Sequence, residues 1–457
     1  MASKQKPHKI MTTMQKYLSF VPSTEQVNAL AQIEHFLNND EQVLILCGSA
    51  GTGKTSLAKA IVEYQKEKGE DIALSTPTTR AARIISAKTM HEARTIHARI
   101  YKNETLPDGR IKASLKLHDD YVPIPYLTDE SSMIGDSVRE NEKFITKQGL
   151  LTDFVQYVRM ANKGNKLIFM GDKYQLAPVS QLDGTTPALS LPYLQKKFGL
   201  AGRVIELNEV QRQAADSYIL RSATSVRDAM KNGSERYKVE CEKWWKMDQL
   251  LSLFLDSFDK SSLEKVIYIA FGHSAINRFN IGVRNKLGYQ NTLSVGDVVV
   301  FNSGFVSSSQ SIMNGEFAIV KDTDCQIEKF GGMEFQNITA EVTNDLGEKI
   351  RVSGKVNLTF LKSEKPDLGK EQNDALYTEV MRRDVKFRES ETKYLFENPY
   401  LGAMQLRYGY GITCHKAQGS EFDRVLLSTW THKPNLPYLY TGITRARKEL
   451  FTDVAYR

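Results

Sequence analysis

The chain has 457 residues, 41 % of them hydrophobic and 25 % charged, with a formal net charge of +7. That length exceeds one hydrophobic core and implies about two to four domains, and no apolar run reaches the roughly twenty residues of a membrane-spanning helix, which excludes that class. The positive balance suits a polyanionic partner without demanding one. Four widely spaced cysteines (Cys47, Cys241, Cys325, Cys414) show no metal-ligand spacing and read as buried thiols of a reducing compartment.

Residues 1–20 are basic at the outset and lack an apolar signal core, so they read as the tail or short leading helix of a cytosolic protein. Residues 22–30 then read as a helix start, with Ser23 or Thr24 at the N-cap and Glu25 in the first turn. Val43-Leu44-Ile45-Leu46-Cys47 is short, apolar and β-prone, as a buried parallel strand should be. It runs into Gly48-Ser49-Ala50-Gly51-Thr52-Gly53-Lys54-Thr55, which fits the pattern G-x-x-x-x-G-K-[ST], and Ser56 to Val62 follow with helical periodicity. A strand feeding a glycine-rich turn that opens a helix presents backbone N–H groups and a positive dipole end to an anion. Lys54 would reach the β- and γ-phosphates and the Thr55 hydroxyl would sit on Mg²⁺, so a nucleoside triphosphate site is expected.

Ile72 to Thr76 reads as a second strand, running into Pro77-Thr78-Thr79-Arg80. Alternating strands and helices imply a parallel sheet with ligands at the carboxyl ends of its strands. Between His97 and Leu127 the alternation stops, and Leu106-Pro107-Asp108-Gly109-Arg110-Ile111 predicts a small β-hairpin. Residues 166–172 form another strand ending in a polar turn, residues 204–208 read as the crossing into a second domain, and residues 266–271 as a core strand there. From Leu293, short strands at 294–302, 317–320 and 338–342 predict an inserted antiparallel barrel. Residues 364–398 are heavily charged and read as a solvated helix with its connections. Alternation returns at Gly409, and strands at 424–428 and 450–454 complete a second sheet.

Asp129-Glu130 supplies the paired acids that a nucleotide hydrolase needs: Asp129 to hold Mg²⁺, Glu130 to orient and deprotonate water. Pro123 and Pro125 just before it fit poorly in a central strand, so that strand must be short or begin late. Gln175 offers a neutral side chain for a γ-phosphate and the attacking water. Arg212, Arg445 and Arg447 offer guanidinium groups from a second domain, a contribution worth roughly 10³ to 10⁵ in rate when one reaches the γ-phosphate.

In their order these motifs resemble superfamily 1 DNA helicases of the 5′→3′ branch, which holds RecD-like, Pif-like and phage Dda-like enzymes, over nearly the whole chain. The resemblance implies an α/β fold of two tandem RecA-like P-loop domains, with a β-hairpin pin in the first and an SH3-like β-barrel in the second. The implied boundaries are a tail at 1–20, a first domain at 21–203 with its insertion at 97–127, a second domain at 204–292 and 401–457, and the barrel at 293–400. Gln26 matches the adenine-reading glutamine, Ser56 closes the phosphate loop, and Glu421 matches the acid that meets the ribose. Arg212 matches a motif arginine, and Arg445 the γ-phosphate finger. Pro77, Thr78, Thr79, His97 (within Thr95-Ile96-His97), Thr413 and His415 match nucleic-acid contacts, although Thr79 stands where glycine or histidine is usual.

The implied activity is ATP-dependent, 5′→3′ translocation and duplex unwinding, with ATP and Mg²⁺ as cofactors. Single-stranded and tailed duplex DNA are the implied partners, with single-strand-binding, replication or recombination proteins besides, and no membrane. A monomer in the cytoplasm of a bacterium or phage-infected cell is expected. Two other readings use the same engine: a translocase without unwinding of its own, and a 3′→5′ helicase. A P-loop kinase or small-molecule ATPase would not need arginines from a second sheet.

Overall fold

A computed structural model describes residues 12–105, 111–138, 144–181, 183–209, 217–306, 311–324, 326–343, 348–365, 367–390 and 397–453. The chain divides into two compact units: Met1–Lys102, Ser114–Arg139 and Thr146–Ala215, and then Asn103–Ala113, Glu140–Ile145 and Asp216–Arg457.

The first unit contains β1 (Val43–Gly48), β2 (Ala73–Thr76), β3 (Ala93–Thr95), β6 (Pro125–Thr128), β8 (Lys166–Gly171) and β9 (Gly202–Leu207). They form one parallel sheet in the order β3-β2-β6-β8-β1-β9. Every residue of β1 is buried, as a strand covered on both faces requires. The helices are α1 (Thr24–Leu37), α2 (Lys54–Lys68), α3 (Thr79–Thr89), α4 (Ile96–Ile100), α5 (Leu150–Ala161) and α6 (Leu191–Phe198). Leu30, Ile33 and Phe36 of α1 and Leu57, Ile61 and Val62 of α2 pack with Leu44, Leu46 and Leu74 in one core. Each such side chain contributes about 1.5–3 kcal/mol by leaving water.

Three boundaries of the first unit differ from expectation. The segment 204–208 is no crossing point: β9 pairs with β1 in parallel, because Ile205 and Leu207 turn inward to complete the first core. Of the two readings of the N-terminal region, the short leading helix holds from residue 12 on, as a single 3-10 turn at Thr13–Tyr17, and not the free tail. Met14 is fully buried in the first core, and Thr12 and Thr13 donate to the Glu34 carboxylate. Of the 97–127 insertion, α4 and most of β6 belong to the main fold, leaving β4 (Tyr101–Thr105) and β5 (Ile111–Leu115) as a hairpin, with β7 (Phe144–Ile145) alongside β5. Its turn at 106–110 lies outside the described residues. β6 does begin late, with Pro125 as its first residue, where a missing N–H is tolerated.

The second unit holds another parallel sheet, in the order β10-β22-β21-β11-β20. Its strands are β10 (Glu242–Trp244), β11 (Val266–Ala270), β20 (Gly411–Thr413), β21 (Phe422–Leu427) and β22 (Ala446–Asp453). Its helices are α7 (Tyr218–Lys231), α8 (Met247–Leu255), α9 (His273–Lys286), α10 (Leu358–Lys362), α11 (Lys370–Arg383), α12 (Val385–Glu389), α13 (Cys414–Ala417) and α14 (Leu436–Ile443).

Between β11 and β20 the chain makes an antiparallel sheet from β12 (Val298–Phe301), β15 (Phe317–Thr323), β16 (Glu328–Phe330), β17 (Met333–Thr343), β18 (Lys349–Asn357) and β19 (Leu406–Tyr408), besides a two-stranded ribbon of β13 (Phe305–Val306) and β14 (Ser311–Ile312). The sheet curls on itself. β18 pairs with β17, β17 with β15, β15 with β12 and β12 with β19, and Val356 bridges to Met404 just ahead of β19. Residue 400 is therefore not its end, since β19 completes it. A buried ion pair ties this sheet to the parallel one: Arg284 of α9 donates to both Asp297 oxygens at 2.9 and 3.1 Å, and the Tyr410 hydroxyl donates to the same carboxylate. Cys47 and Cys414 are buried, Cys241 is half-buried, and Cys325 lies outside the described residues. No described helix is long and apolar enough to cross a membrane.

Candidate nucleotide and nucleic-acid site

The phosphate loop joins β1 to α2. Gly51 and Gly53 take left-handed backbone (φ 83° and 89°), which lets consecutive N–H groups turn to one side. Gly48 is required for space: a Cβ there would stand 2.6 Å from Thr52 Oγ1. The loop is braced within itself, with the Thr52 hydroxyl donating to the Ser49 carbonyl at 2.9 Å. Lys54 folds its ammonium back onto the Gly48 and Ser49 carbonyls at 2.6 and 3.1 Å, so the cation sits over the loop. Thr55 and Ser56 follow in the first turn of α2, and Ala50 is half-buried.

Gln26 does structural work here. Its side chain completes a capping box with Ser23 and donates to the Thr52 carbonyl at 3.0 Å, and it is 1 % exposed. That couples α1 to the loop, and it occupies both ends of the carboxamide that the resemblance assigns to adenine.

Asp129 follows β6 and its N–H donates to the Ser75 carbonyl of β2. Burial pushes its carboxyl up, against the opposing Lys54 charge and the Glu130 N–H, which donates to Asp129 Oδ1 at 2.8 Å. Lys54 and Asp129 are thus close enough for their charges to interact. Glu130 has φ 54° and ψ 35°, left-handed backbone that costs a non-glycine residue about 1–2 kcal/mol. Strain of this kind is retained where it aims a side chain. Behind it, β8 approaches closely: a Cβ on Gly171 would meet the Ser131 and Ser132 N–H nitrogens within 3.3 Å. In the turn after β8, Gln175 is 6 % exposed and its Oε1 is buried with no hydrogen-bond partner. An open acceptor beside the loop and the paired acids fits a bound group that donates, such as a water or a metal-bound hydroxyl. Sequence gave no signal for the Glu130 backbone or for Ser131 and Ser132, both fully buried.

Three threonines stand at carboxyl ends of strands and cap the next helix. Thr78 accepts from Ala81 N after β2, Thr95 from Ala98 N after β3, and Thr413 from Lys416 N after β20. Pro77 and Thr79 flank Thr78, His97 is exposed on α4 with its ring 5.8 Å from that of Tyr101, and His415 is half-buried on α13. Glu421 precedes β21 and is half-buried. Arg445 is not an exposed finger in its own unit. It is 4 % exposed, and its guanidinium donates to Thr441 O, Ser420 O and Thr444 Oγ1 at 3.0–3.1 Å, because the turn after α14 wraps it. Arg447 is a surface residue paired with Asp423 and Glu264. Arg212 lies outside the described residues.

A family model for an AAA domain matches residues 23–240, and one for the UvrD-like helicase C-terminal domain matches residues 408–451. The chain is 25 % identical over 441 residues to the ATP-dependent RecD2 DNA helicase of Deinococcus radiodurans, covering 94 % of this chain and 48 % of that protein. It is 24 % identical over 483 residues to the ATP-dependent DNA helicase dda of Enterobacteria phage T4, covering 95 % of this chain and 100 % of the relative. Over nearly its whole length the chain is similar to these DNA helicases. It spans about half the length of RecD2 and the full length of dda. Its fold is shared with the Pif1 helicase of Candida albicans, with a TM-score of 0.50 at 14 % identity, covering 95 % of each chain. The AAA match spans the phosphate loop, Asp129-Glu130 and Gln175, and the UvrD-like match spans Thr413 through Arg445.

Proposed function

We propose that this chain is an ATP-dependent DNA helicase that moves 5′→3′ along single-stranded DNA and separates the duplex ahead of it. The observation that carries the reading is the meeting, in one unit, of a phosphate loop, a strained Glu130 and a buried, open Gln175 acceptor. Names of the two relatives add ATP dependence and DNA to that chemistry.

The loop amides from Gly48 to Thr55 cradle the phosphates, and Lys54 exchanges its two carbonyl partners for phosphate oxygens. Thr55 and Asp129 hold Mg²⁺, a pairing that fits an ion which keeps most of its waters and binds one or two protein oxygens. When bound, that ion neutralises charge on the phosphate oxygens. Glu130 takes the proton of the attacking water while Gln175 orients it. Arg445 steadies, with Arg212, the charge that develops as the γ-phosphate leaves only if its guanidinium exchanges the turn that wraps it for phosphate oxygens, and Glu421 reads the ribose. Gln26 reads adenine only if the base displaces one of its present bonds.

Pro77, Thr78, Thr79, His97, Thr413 and His415 lie along the DNA backbone, offering hydroxyls, amides and cations that track phosphates without reading sequence. The β4–β5 hairpin acts as the strand-separating pin, and the curled antiparallel sheet as an SH3-like barrel. Parting one base-pair step costs roughly 1.4 kcal/mol, a modest demand on one nucleotide per step. The chain works as a monomer in the cytoplasm of a bacterium or phage-infected cell, alongside single-strand-binding, replication or recombination proteins.

Strand separation of matched duplexes carrying a 5′ or a 3′ single-stranded tail tests this. Unwinding from the 5′ tail alone is expected, and deleting residues 106–111 should lower unwinding while sparing DNA-stimulated hydrolysis. Unwinding from the 3′ tail alone would reverse the polarity, and stimulated hydrolysis without unwinding would leave a translocase.

A further inference from the structure

Tryptophan is the largest apolar side chain and is highly buried on average. Of the three in this chain, Trp244 is buried, while Trp245 and Trp430 are 63 % and 58 % exposed. Both exposed rings leave the carboxyl edge of the second parallel sheet. Trp430 stands just past β21, and Trp245 just past β10, whose Trp244 lies opposite Asp453 of β22. In the order β10-β22-β21-β11-β20, Trp430 is the nearer of the two to β11 and β20.

Trp430 is exposed but not loose. Before it, Ser428 Oγ donates to Asp453 Oδ2 at 2.8 Å, and Thr429 donates to Asp453 Oδ1 through its N–H and its hydroxyl, both at 2.6 Å. After it, the Thr431 hydroxyl donates to the Lys433 carbonyl at 2.7 Å. A series of rings backs it. His432 meets Trp430 edge-to-face at 4.7 Å and Phe271 at 6.2 Å, and Phe271 meets the buried Tyr438 at 5.6 Å. The Tyr438 hydroxyl donates to the Ser428 carbonyl at 2.6 Å, which closes the circuit at the start of the same loop. A ring held in place before anything covers it loses little freedom on binding.

Its surroundings select a polyanion with planar groups. His432 and Lys433 beside the ring are exposed, so its rim is polar and carries a cation. Two strand spacings along the same edge, about 10 Å, lead from the end of β21 to the end of β20, where Thr413 and His415 stand. We propose that Trp430 is a platform on which one unpaired base of a single strand stacks, with Lys433 beside it for the charge of the strand. The platform rests on the nucleic-acid reading above and adds a different kind of contact to it. Hydroxyls and amides that follow phosphates need no base, whereas a stack needs a base but not a particular one, because every base has a π-face. Bases in a duplex are already stacked on one another, so the platform favours a strand whose bases are free.

Fluorescence anisotropy of the full chain with two labelled strands, oligo-dT and an abasic strand with the same number of phosphates, tests the platform. Wild type should bind oligo-dT about tenfold more tightly than the abasic strand, the size of one base stack. Trp430→Ala should lose about tenfold on oligo-dT and stay within about twofold on the abasic strand. Its slope of log K against log salt should match that of the wild type, since a stack releases no counterion. Trp430→Phe, which keeps a ring, should recover most of the affinity. Equal wild-type affinity for the two strands would overturn the platform without any variant. Unchanged oligo-dT affinity in Trp430→Ala would overturn it too, as would an equal loss on the abasic strand, which marks a residue that acts without a base. A wild type that binds neither strand would overturn the nucleic-acid reading itself, and so is told apart from a platform that fails alone.

Discussion

The two parallel sheets hold a lysine at their carboxyl edges in different ways. In the first, β1 ends in a turn whose left-handed glycines aim backbone N–H groups, and the Lys54 ammonium already has two carbonyl partners. In the second, β11 and β20 end without such a turn, and the buried Lys416 Nζ has no hydrogen-bond partner among the described residues. Backbone amides are neutral, so an empty phosphate loop costs little. Buried side-chain cations are charged, so one without a counter-charge destabilises the unit that carries it. The phosphate loop is also contiguous in sequence, whereas the grouping of side chains from α9, β19 and α13 exists only after folding.

The difference can be broken open from its chemical side. Glu130→Gln should keep nucleotide binding and lose about 10² to 10⁴ in ATP turnover, and Lys54→Ala should abolish hydrolysis. Steady-state hydrolysis with labelled-nucleotide binding separates the two, and near-normal turnover in Glu130→Gln would remove it as the base. No comparable loss is expected from Arg447→Ala, whose partners are surface acids.

Stability contrasts come next. Arg284→Ala strips a buried partner from Asp297 and should cost about 3–5 kcal/mol in denaturant unfolding of the second unit. Gly53→Ala should cost about 1–2 kcal/mol for its left-handed backbone, and more because its Cβ would stand 2.4 Å from Gln26 Nε2. Gly272→Ala, at the matching end of β11, has φ −109° and open space, so about 1 kcal/mol or less is expected. Equal costs at the two glycines would erase the contrast between the sheets.

The smallest effect is a pH dependence. Burial lowers the Lys416 pKa in the folded chain to about 8, so above that pH the unfolded chain binds more protons and wild-type stability rises. The thermal gap between Lys416→Met and wild type should therefore shrink as pH climbs past about 8. Arg407, at about 10, keeps its charge near pH 8, and burial lowers His273 away from that range.

Legibility in the sequence followed the same division. β1, β8, β11 and β21 read directly as apolar runs, and the phosphate loop as a contiguous pattern. β9 was assigned to the wrong sheet because an edge strand with Val204 exposed and Ile205 and Leu207 inward carries no mark of its neighbour. β19 was missed because three residues close the curled sheet immediately before β20 begins the parallel return. The left-handed backbone of Glu130 has no residue signature, since glycine is absent there. Arg445 was legible as a motif but not as a guanidinium wrapped by its own turn. His273 and Arg407 had no signal, because their partners are far away in sequence.

The most direct measurement is ATP hydrolysis by the full chain with and without oligo-dT. Strong stimulation by the oligonucleotide is the predicted result, since an engine that works on a strand should turn over when the strand is present. An identical rate with and without it would contradict the helicase account and leave a nucleotide hydrolase with no link to nucleic acid.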